Sequence, residues 1–415
     1  MKKDILSYLQ SKSWQFLFFE FSTYLFVGTL PLFLKLNTIS LWIFIAGAII
    51  SSKERNTFGN LRQNKIFIFA TTLVFSLYVI GFFLSTDSEK EVRNIIRLLP
   101  LFLLPMLIFS FSKKDFNFRN IYISLGAGLL FGMLYCWCFV VTSILSKERY
   151  FEQAKYFFEW IYTDVNLLRP LEGHPSYFAV LIVVFLITII TSKKFSDIRK
   201  KRIRFSLILM PYILFLIETN SRIGIISFVV LLSIYVLKTF KLKKSILIVL
   251  STLLMLVLVS IKFNYLGTKM GKLFDSSGSI KFERYHRWTE ILKVFSDSDE
   301  MIFGVGTSDA RLVYQKAYFN GNFELALREN YNAHNQFLEF FVSNGFFGLL
   351  IYLICLCLFI FLTKYKWQPA SFIIVILLFS FSESFFGRSQ GVLIFSFFYS
   401  FLALLYTQNN IKYEA

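Results

Sequence analysis

Histidine is nearly absent: three residues in 415, at positions 174, 286 and 334. Cysteine is scarce too, with four residues in two C-x-C pairs, Cys136/Cys138 and Cys355/Cys357. Both pairs fall inside long apolar runs. Residues two apart on a helix point to different faces, so neither pair makes a good metal site. They read as small packing residues and say nothing firm about redox compartment. No internal repeat and no low-complexity tail is present, which excludes repeat architectures. Strands of about ten residues with alternating polarity are missing, which excludes a membrane barrel. No A-x-A-like cleavage site follows the first apolar run, so that run reads as a retained helix rather than a removed signal.

What is abundant is apolar and aromatic surface. The chain is 56% hydrophobic and contains 53 Phe, far above soluble globular usage. Apolar stretches of bilayer-crossing length recur throughout. They place about twelve spans at 14–34, 36–51, 66–84, 98–112, 121–145, 174–192, 203–219, 222–239, 245–262, 334–362, 369–386 and 390–407. The fold class is all-α and polytopic. The formal charge of +18 invites a nucleic-acid partner, but membrane topology accounts for it better. With the N-terminus inside, 24 of the 44 Lys and Arg fall on inside segments, with KKFSDIRKKRIR (193–204) the strongest marker. Another 10 lie on short outside segments and 10 in one long loop, which the positive-inside rule does not count. Both termini are thus expected in the cytoplasm. Residues 1–145 read as N-terminal transmembrane helices and 146–415 as a second region. That region carries two outside excursions: 146–173, expected as a short interfacial helix, and 263–333, too long for a simple connector.

Polar groups gather at the outside face. KFERYHRWTEILKVF (281–295) has Phe282, Tyr285, Trp288, Ile291, Leu292 and Phe295 at helical spacing. At about 100° per residue Arg284 falls within that face, about 40° from Trp288, while Glu283, Arg287 and Glu290 fall opposite. On that projection Arg287 and His286 are solvated, and Arg284 points inward and needs a partner. TNSRIG (219–224) puts Arg222 in the first turn of a membrane helix, where Asn220 or Ser221 can cap. That is either an anion site or a snorkelling arginine. His334, in NYNAHNQFLEFF, stands where the long loop re-enters the membrane. The start of a helix favours the neutral imidazole, a base for a hydroxyl, and Asn332 or Asn335 can orient it. The alternative is a plain capping histidine. His174 in LEGHPSYF, and Glu383 and Arg388 in SFSESFFGRSQG, complete the outside set. Asp297-Ser298-Asp299-Glu300 imitates a D-x-D metal motif, but in a polar turn on the wrong side for cytoplasmic nucleotide sugars. Gly304-Val305-Gly306 reads as a turn rather than a phosphate loop.

In this order, these pieces resemble the O-antigen ligase/O-antigen polymerase family of bacterial envelope enzymes. The matching residues are SRIG (221–224), Arg284 four before Trp288, GVG (304–306) and HNQFLEFFVSNGFFGLL (334–350). HPSYFA (174–179) and SESFFGRSQG (382–391) look like the Bacteroidota-type version. The resemblance covers roughly residues 170 to 400. It implies a membrane glycosyltransferase architecture (GT-C-like) in the bacterial inner membrane. It also implies a glycan donor on undecaprenyl diphosphate and inverting transfer to an acceptor hydroxyl at the periplasmic face, with no metal and no cofactor. By the same carry-over Arg222 and Arg284 neutralise the leaving diphosphate and His334 activates the acceptor. Asn335, His174, Glu383, Arg388 and Trp288 are candidate substrate contacts. Arg287 is the rival for Arg284's place. Ligation to lipid A-core is the preferred reaction. Polymerisation of repeat units and transfer to protein share the motifs, and a lipid-linked glycan transporter is the non-enzyme alternative. Broken, paired halves with mid-membrane charges would mark a transporter, and none stands out.

Overall fold

The computed structural model describes residues 12–54, 56–146, 160–241, 283–297 and 299–407, and among these there is no strand. In chain order the main helices are α1 (Trp14–Thr29), α2 (Leu34–Ile50), α3 (Lys65–Leu84), α4 (Ser88–Leu98), α5 (Pro100–Phe109) and α6 (Phe118–Leu145). Then come α7 (Pro175–Thr191), α8 (Arg202–Glu218), α9 (Arg222–Thr239), α10 (Glu283–Ser296) and α11 (Ala310–Asn320). The last three are α12 (Gln336–Leu362), α13 (Trp367–Ser380) and α14 (Ser389–Thr407). Eleven of the expected spans hold a helix; the expected span 245–262 lies outside the described residues. Among the described residues six helices are long and apolar enough to cross a membrane, or seven if Val165–Leu171 and α7, bent by 86°, are one span. Of the expected interfacial helix 146–173, residues 147–159 lie outside the described residues. The remainder forms short turns at Trp160–Tyr162, Val165–Leu168 and Arg169–Leu171.

Two boundaries differ from expectation for physical reasons. The fourth span starts ten residues earlier, because the charge-rich SEKEVRNIIRL is a helix that runs into the apolar stretch. Asp87 caps it, accepting from the Lys90 N–H at 2.9 Å. Its exposed face carries Val92, Ile96 and Leu99, while Glu91 is 0% exposed. A charge-rich stretch was therefore easy to take for a loop. α13 ends at Ser380 rather than 386, because residues 381–388 form a turn that holds polar groups of the site.

The chain divides into two compact units, Met1–Lys65 with Met106–Phe228 and Thr407–Ala415, and Ile66–Pro105 with Val229–Tyr406. In the first, Gly128 lies so close to the Gly28 carbonyl that no Cβ fits between α1 and α6. Gly224, the glycine of SRIG, likewise lets α9 approach α7, since a Cβ there would sit 2.8 Å from that of Ala179.

In the second unit α10 and α11 fold the outside loop onto the start of α12. Ile291, Phe295, Ala310, Tyr314, Ala317, Tyr318, Leu338 and Val342 form one buried cluster. Each large side chain there contributes roughly 1.5–3 kcal/mol of burial. α12 breaks at Gly345, whose φ of 66° and ψ of −168° are essentially open to glycine alone. The broken turn leaves backbone groups without helical partners, and the loop supplies them. Val305 and Gly306 N–H donate to the Val342 and Ser343 carbonyls at 3.0 and 2.9 Å, and Phe346 N–H donates to the Met301 carbonyl at 2.9 Å. The GVG segment is thus a turn, as expected, and it plugs a helix break. Beyond it Thr307 N–H and Ser308 Oγ donate to Glu91 at 3.1 and 2.7 Å, and Asp309 accepts from Ser85 Oγ and from the N–H and Oγ1 of Thr86. The loop is therefore stapled both to α12 and to the α3–α4 corner.

Candidate active site

The expected helix at 334 begins two residues later. Asn335 is its cap, accepting the Phe337 and Leu338 N–H groups at 3.0 and 3.1 Å. Its amide oxygen is thereby used in the fold rather than offered to a substrate. His334 stands just outside the cap with φ 48°, a strained backbone for a non-glycine residue. Asn332 holds it there, its Oδ1 accepting the His334 N–H at 3.1 Å. The ring is oriented by neither asparagine. His334 Nδ1 lies 3.4 Å from Glu383 Oε2, and the ring packs edge-on against Tyr331. A carboxylate beside Nδ1 favours the tautomer with the proton on that nitrogen and leaves Nε2 free to accept one. Both side chains are only partly exposed, 25% and 13%, so the pair is reachable yet sheltered.

Residues 382–387 are knitted to the start of α12 at two further points. Ser384 Oγ donates to Glu339 Oε1 at 2.8 Å, and Phe386 N–H donates to Gln336 Oε1 at 2.6 Å. Glu339 Oε1 also accepts the Ala333 N–H at 3.0 Å, and its Oε2 accepts from the Tyr314 hydroxyl at 3.1 Å. Burial, followed by the Glu339 carboxylate, holds the Tyr314 phenol well above its ordinary pKa, so it remains a donor. Glu339 therefore fixes the residue before His334 and the residue after Glu383. Sequence reasoning passed over it, although its place within HNQFLE, five residues after the histidine, sets it in the first turn of the same helix.

The ends of the turn are held by arginines. Arg284 Nη1 donates to the Ser382 carbonyl at 2.8 Å, and Arg97 Nη1 donates to the Gly387 carbonyl at 3.0 Å. Arg388 follows the turn and is exposed. Arg284 thus reaches the segment that carries Glu383, but the face expected for it is overturned. Arg284 and Tyr285 are exposed, and it is Arg287 that is buried, at 7% exposure. The inward face runs through Arg287, Trp288, Ile291 and Phe295. The projection failed because it took Tyr285 and Leu292, 62% and 43% exposed, for core residues. Hydrophobicity by itself does not say which apolar residues meet protein. The Arg287 guanidinium sits over the Tyr331 ring at 5.6 Å, with its Nε buried and without a hydrogen bond. Trp288 Nε1 donates to the Ala333 carbonyl at 2.7 Å, bracing the strand of chain that leads to His334.

His286 is exposed, as expected, on the flank of α10 beside a cavity of about 550 Å³ that Glu283, Glu290 and Glu324 also line. Asp297, Asp299 and Glu300 are exposed. Among the described residues no three His, Cys, Asp or Glu side chains come together as a metal ligand set. In the other unit Arg222 is exposed at the start of α9, where Ser221 Oγ accepts the Gly224 N–H at 3.2 Å. Of the two caps considered there, Ser221 is the one used, and Asn220 adopts a left-handed φ of 51°. His174 caps α7, its Nδ1 accepting the Ser176 N–H at 3.4 Å.

The segment that delivers Arg222, Arg284, Trp288, His334 and Asn335 can be compared with known families. Residues 205–353 match the family model described as O-antigen ligase. That segment is similar to the O-antigen ligase family. The match covers about a third of the chain and leaves His174, Glu383 and Arg388 outside it. No curated protein matches the chain. The family is one of glycosyltransferase-like ligases, and the match, with the apolar helices, supports a polytopic membrane protein with enzyme activity at that coarse level.

Proposed function

We propose that the protein transfers a glycan from undecaprenyl diphosphate to an acceptor hydroxyl at the periplasmic face of the bacterial inner membrane, ligating O-antigen to lipid A-core. The observation that carries this reading is the His334–Glu383 pair on a turn whose ends are held by Arg284 and Arg97. Glu383 holds the imidazole with Nε2 open to take the acceptor's proton. The acceptor oxygen attacks the anomeric carbon from the side opposite the diphosphate, so the sugar–phosphate bond breaks with inversion. The leaving diphosphate gains negative charge, and arginines stabilise it. Arg284 is exposed at the turn and, among the described residues, donates to a backbone carbonyl and to no carboxylate, which supports this role. Arg222, at the start of its helix, is the second proposed cation, and Arg388 and His174 are proposed contacts to the glycan or its carrier. The large outside loop belongs with residues 146–415 as the ligase-like region in a GT-C-like arrangement.

The test uses purified protein in detergent with a synthetic undecaprenyl-diphosphate glycan and no added metal. A single transfer onto lipid A-core, read as one gel shift, is the expected outcome. A ladder from donor alone would instead mark a polymerase. No product with lipid A-core, donor or protein acceptors, from enzyme shown to be folded, would sink the glycosyl-transfer reading.

A further inference from the structure

Arg97 lies on α4, more than a hundred residues before the family segment begins, and nothing in its sequence surroundings marks it. Its position in the fold does. Among the described residues it makes one hydrogen bond, from Nη1 to the Gly387 carbonyl at 3.0 Å, and no ion pair. Its Nε is buried and has no acceptor. A guanidinium carries five N–H donors, so most of this one's donors lack a protein partner. The carboxylates in the same neighbourhood do not answer it. Glu91 accepts from Thr307 N–H, Ser308 Oγ and Asn94 Nδ2. Glu339 is engaged by Ala333, Ser384 and Tyr314, and Glu383 faces His334. Arg97 is half-buried, and a buried N–H such as its Nε left without an acceptor is costly unless a ligand oxygen completes it. The same turn is held at its other end by Arg284, whose hydrogen bond among the described residues is also to a carbonyl. The turn thus brings two guanidinium groups without carboxylate partners to the segment that carries Glu383.

We propose that Arg97 is a further phosphate-binding residue, contacting the diphosphate of the polyprenyl-linked donor beside Gly387. This rests on the glycan-transfer reading and adds to it a cation from the N-terminal helices. The bond to Gly387 sets the guanidinium plane, and the remaining donors form a fork for phosphate oxygens, a geometry that lysine does not reproduce. Its role is to bind and position the leaving group. It exchanges no proton with the reacting atoms.

The experiment measures binding of undecaprenyl diphosphate and undecaprenyl monophosphate to the full chain in nanodiscs, for the wild type, Arg97→Gln and Arg97→Lys. Gln can still donate to the Gly387 carbonyl, so the turn keeps its anchor. Arg97→Gln is expected to weaken diphosphate binding about tenfold, the size of one lost charge-assisted hydrogen bond. The monophosphate should change less, so the preference for diphosphate narrows while the melting temperature holds. An unchanged diphosphate preference in folded Arg97→Gln overturns the proposal, because a purely structural arginine would not set that ratio. Should Arg97→Gln fail to fold, Arg97→Lys decides through the rise in melting temperature that diphosphate gives. A smaller rise than in the wild type supports the proposal and an equal rise refutes it. Wild-type protein that binds neither lipid overturns the glycan-transfer reading and this inference together. Wild type that binds, with a variant that binds equally, overturns this inference alone.

Discussion

Glu339→Ala is expected to disable transfer by releasing the turn that carries Glu383, although it removes none of the proposed reacting groups. The carboxylate accepts three bonds, from Ala333 N–H at 3.0 Å, Ser384 Oγ at 2.8 Å and Tyr314 Oη at 3.1 Å. All three donor residues are buried, at 3%, 4% and 1% exposure. Each buried donor left without an acceptor costs about 1–3 kcal/mol. Truncation opens a polar hole that a water molecule can enter and partly compensate, so the expected loss is about 3–5 kcal/mol. That is a large share of a typical stability of about 5–15 kcal/mol. Misplacing His334 and Glu383 by an ångström should lower the transfer rate about a hundredfold. Glu339→Gln makes the control. Two of the donors share Oε1, which the amide carbonyl can replace, and the Tyr314 hydroxyl can rotate to accept from the amide N–H. It should lose only about 1 kcal/mol and keep most activity. Thermal unfolding in detergent and single-turnover transfer onto lipid A-core measure both quantities. Glu339→Ala with wild-type stability and rate would refute the positioning argument. A Glu339→Gln variant as inactive as Glu339→Ala would show that the negative charge itself is what matters.

His334→Ala should lower transfer by about 10²–10⁴, the ordinary contribution of a general base, with insertion and melting unaltered. Glu383→Gln should lower the rate about a hundredfold by losing control of the tautomer; equal rates for wild type and Glu383→Gln would dismiss the pair as a dyad. Arg287→Ala, harmless if the side chain were solvated, is expected to cost about 1–2 kcal/mol by removing a buried cation from the Tyr331 ring, and to slow transfer through His334; a wild-type melt would restore the solvated view. Gly345→Ala should lose at least about 1–3 kcal/mol from backbone strain, and more from the clash of its Cβ with the Ile302 carbonyl, seen as a lower melting temperature and poor yield. A chelator should leave the rate unchanged, since arginines are proposed to neutralise the diphosphate; inhibition reversed by added metal would revive the acidic turn at 297–300.

Much of the fold was legible because bilayer-length apolar runs need no partner to be recognised. Eleven of the expected spans hold helices, and the turn at GVG was readable. What escaped were features that depend on which neighbour a residue meets. The α4 stretch looked like loop because it is rich in charge, and the partners of its buried Glu91 lie at Thr307 and Ser308, far away in sequence. The phase of α10 was misread because packing on Ala310 and Ala317 of α11, both buried, decided which apolar residues turned inward. The partner of His334 was sought among the asparagines beside it in sequence, yet it came from Glu383, forty-nine residues away. Glu383 had been noticed as one charge at the outside face, and only the folded chain joins the two.

That join explains why the family segment cannot be the whole machine. Within residues 205–353 the chain supplies His334, the stapled loop and the helix break at Gly345. The carboxylate facing the histidine and the exposed Arg388 lie beyond that segment, and Glu91 and Arg97 lie long before it. Glu383, Glu91 and Arg97 attach to the segment or to the turn through side chains rather than through the helix backbones. On the proposed reading, His334 and the loop lock at Gly345 serve transfer itself, while the groups of the turn that orient the base and complete the anion site are where a preference among donors and acceptors can be set. Exchanging the 382–388 turn should therefore alter substrate choice more than it alters the capacity for transfer, whereas changes at His334 or Gly345 should remove transfer for every substrate alike.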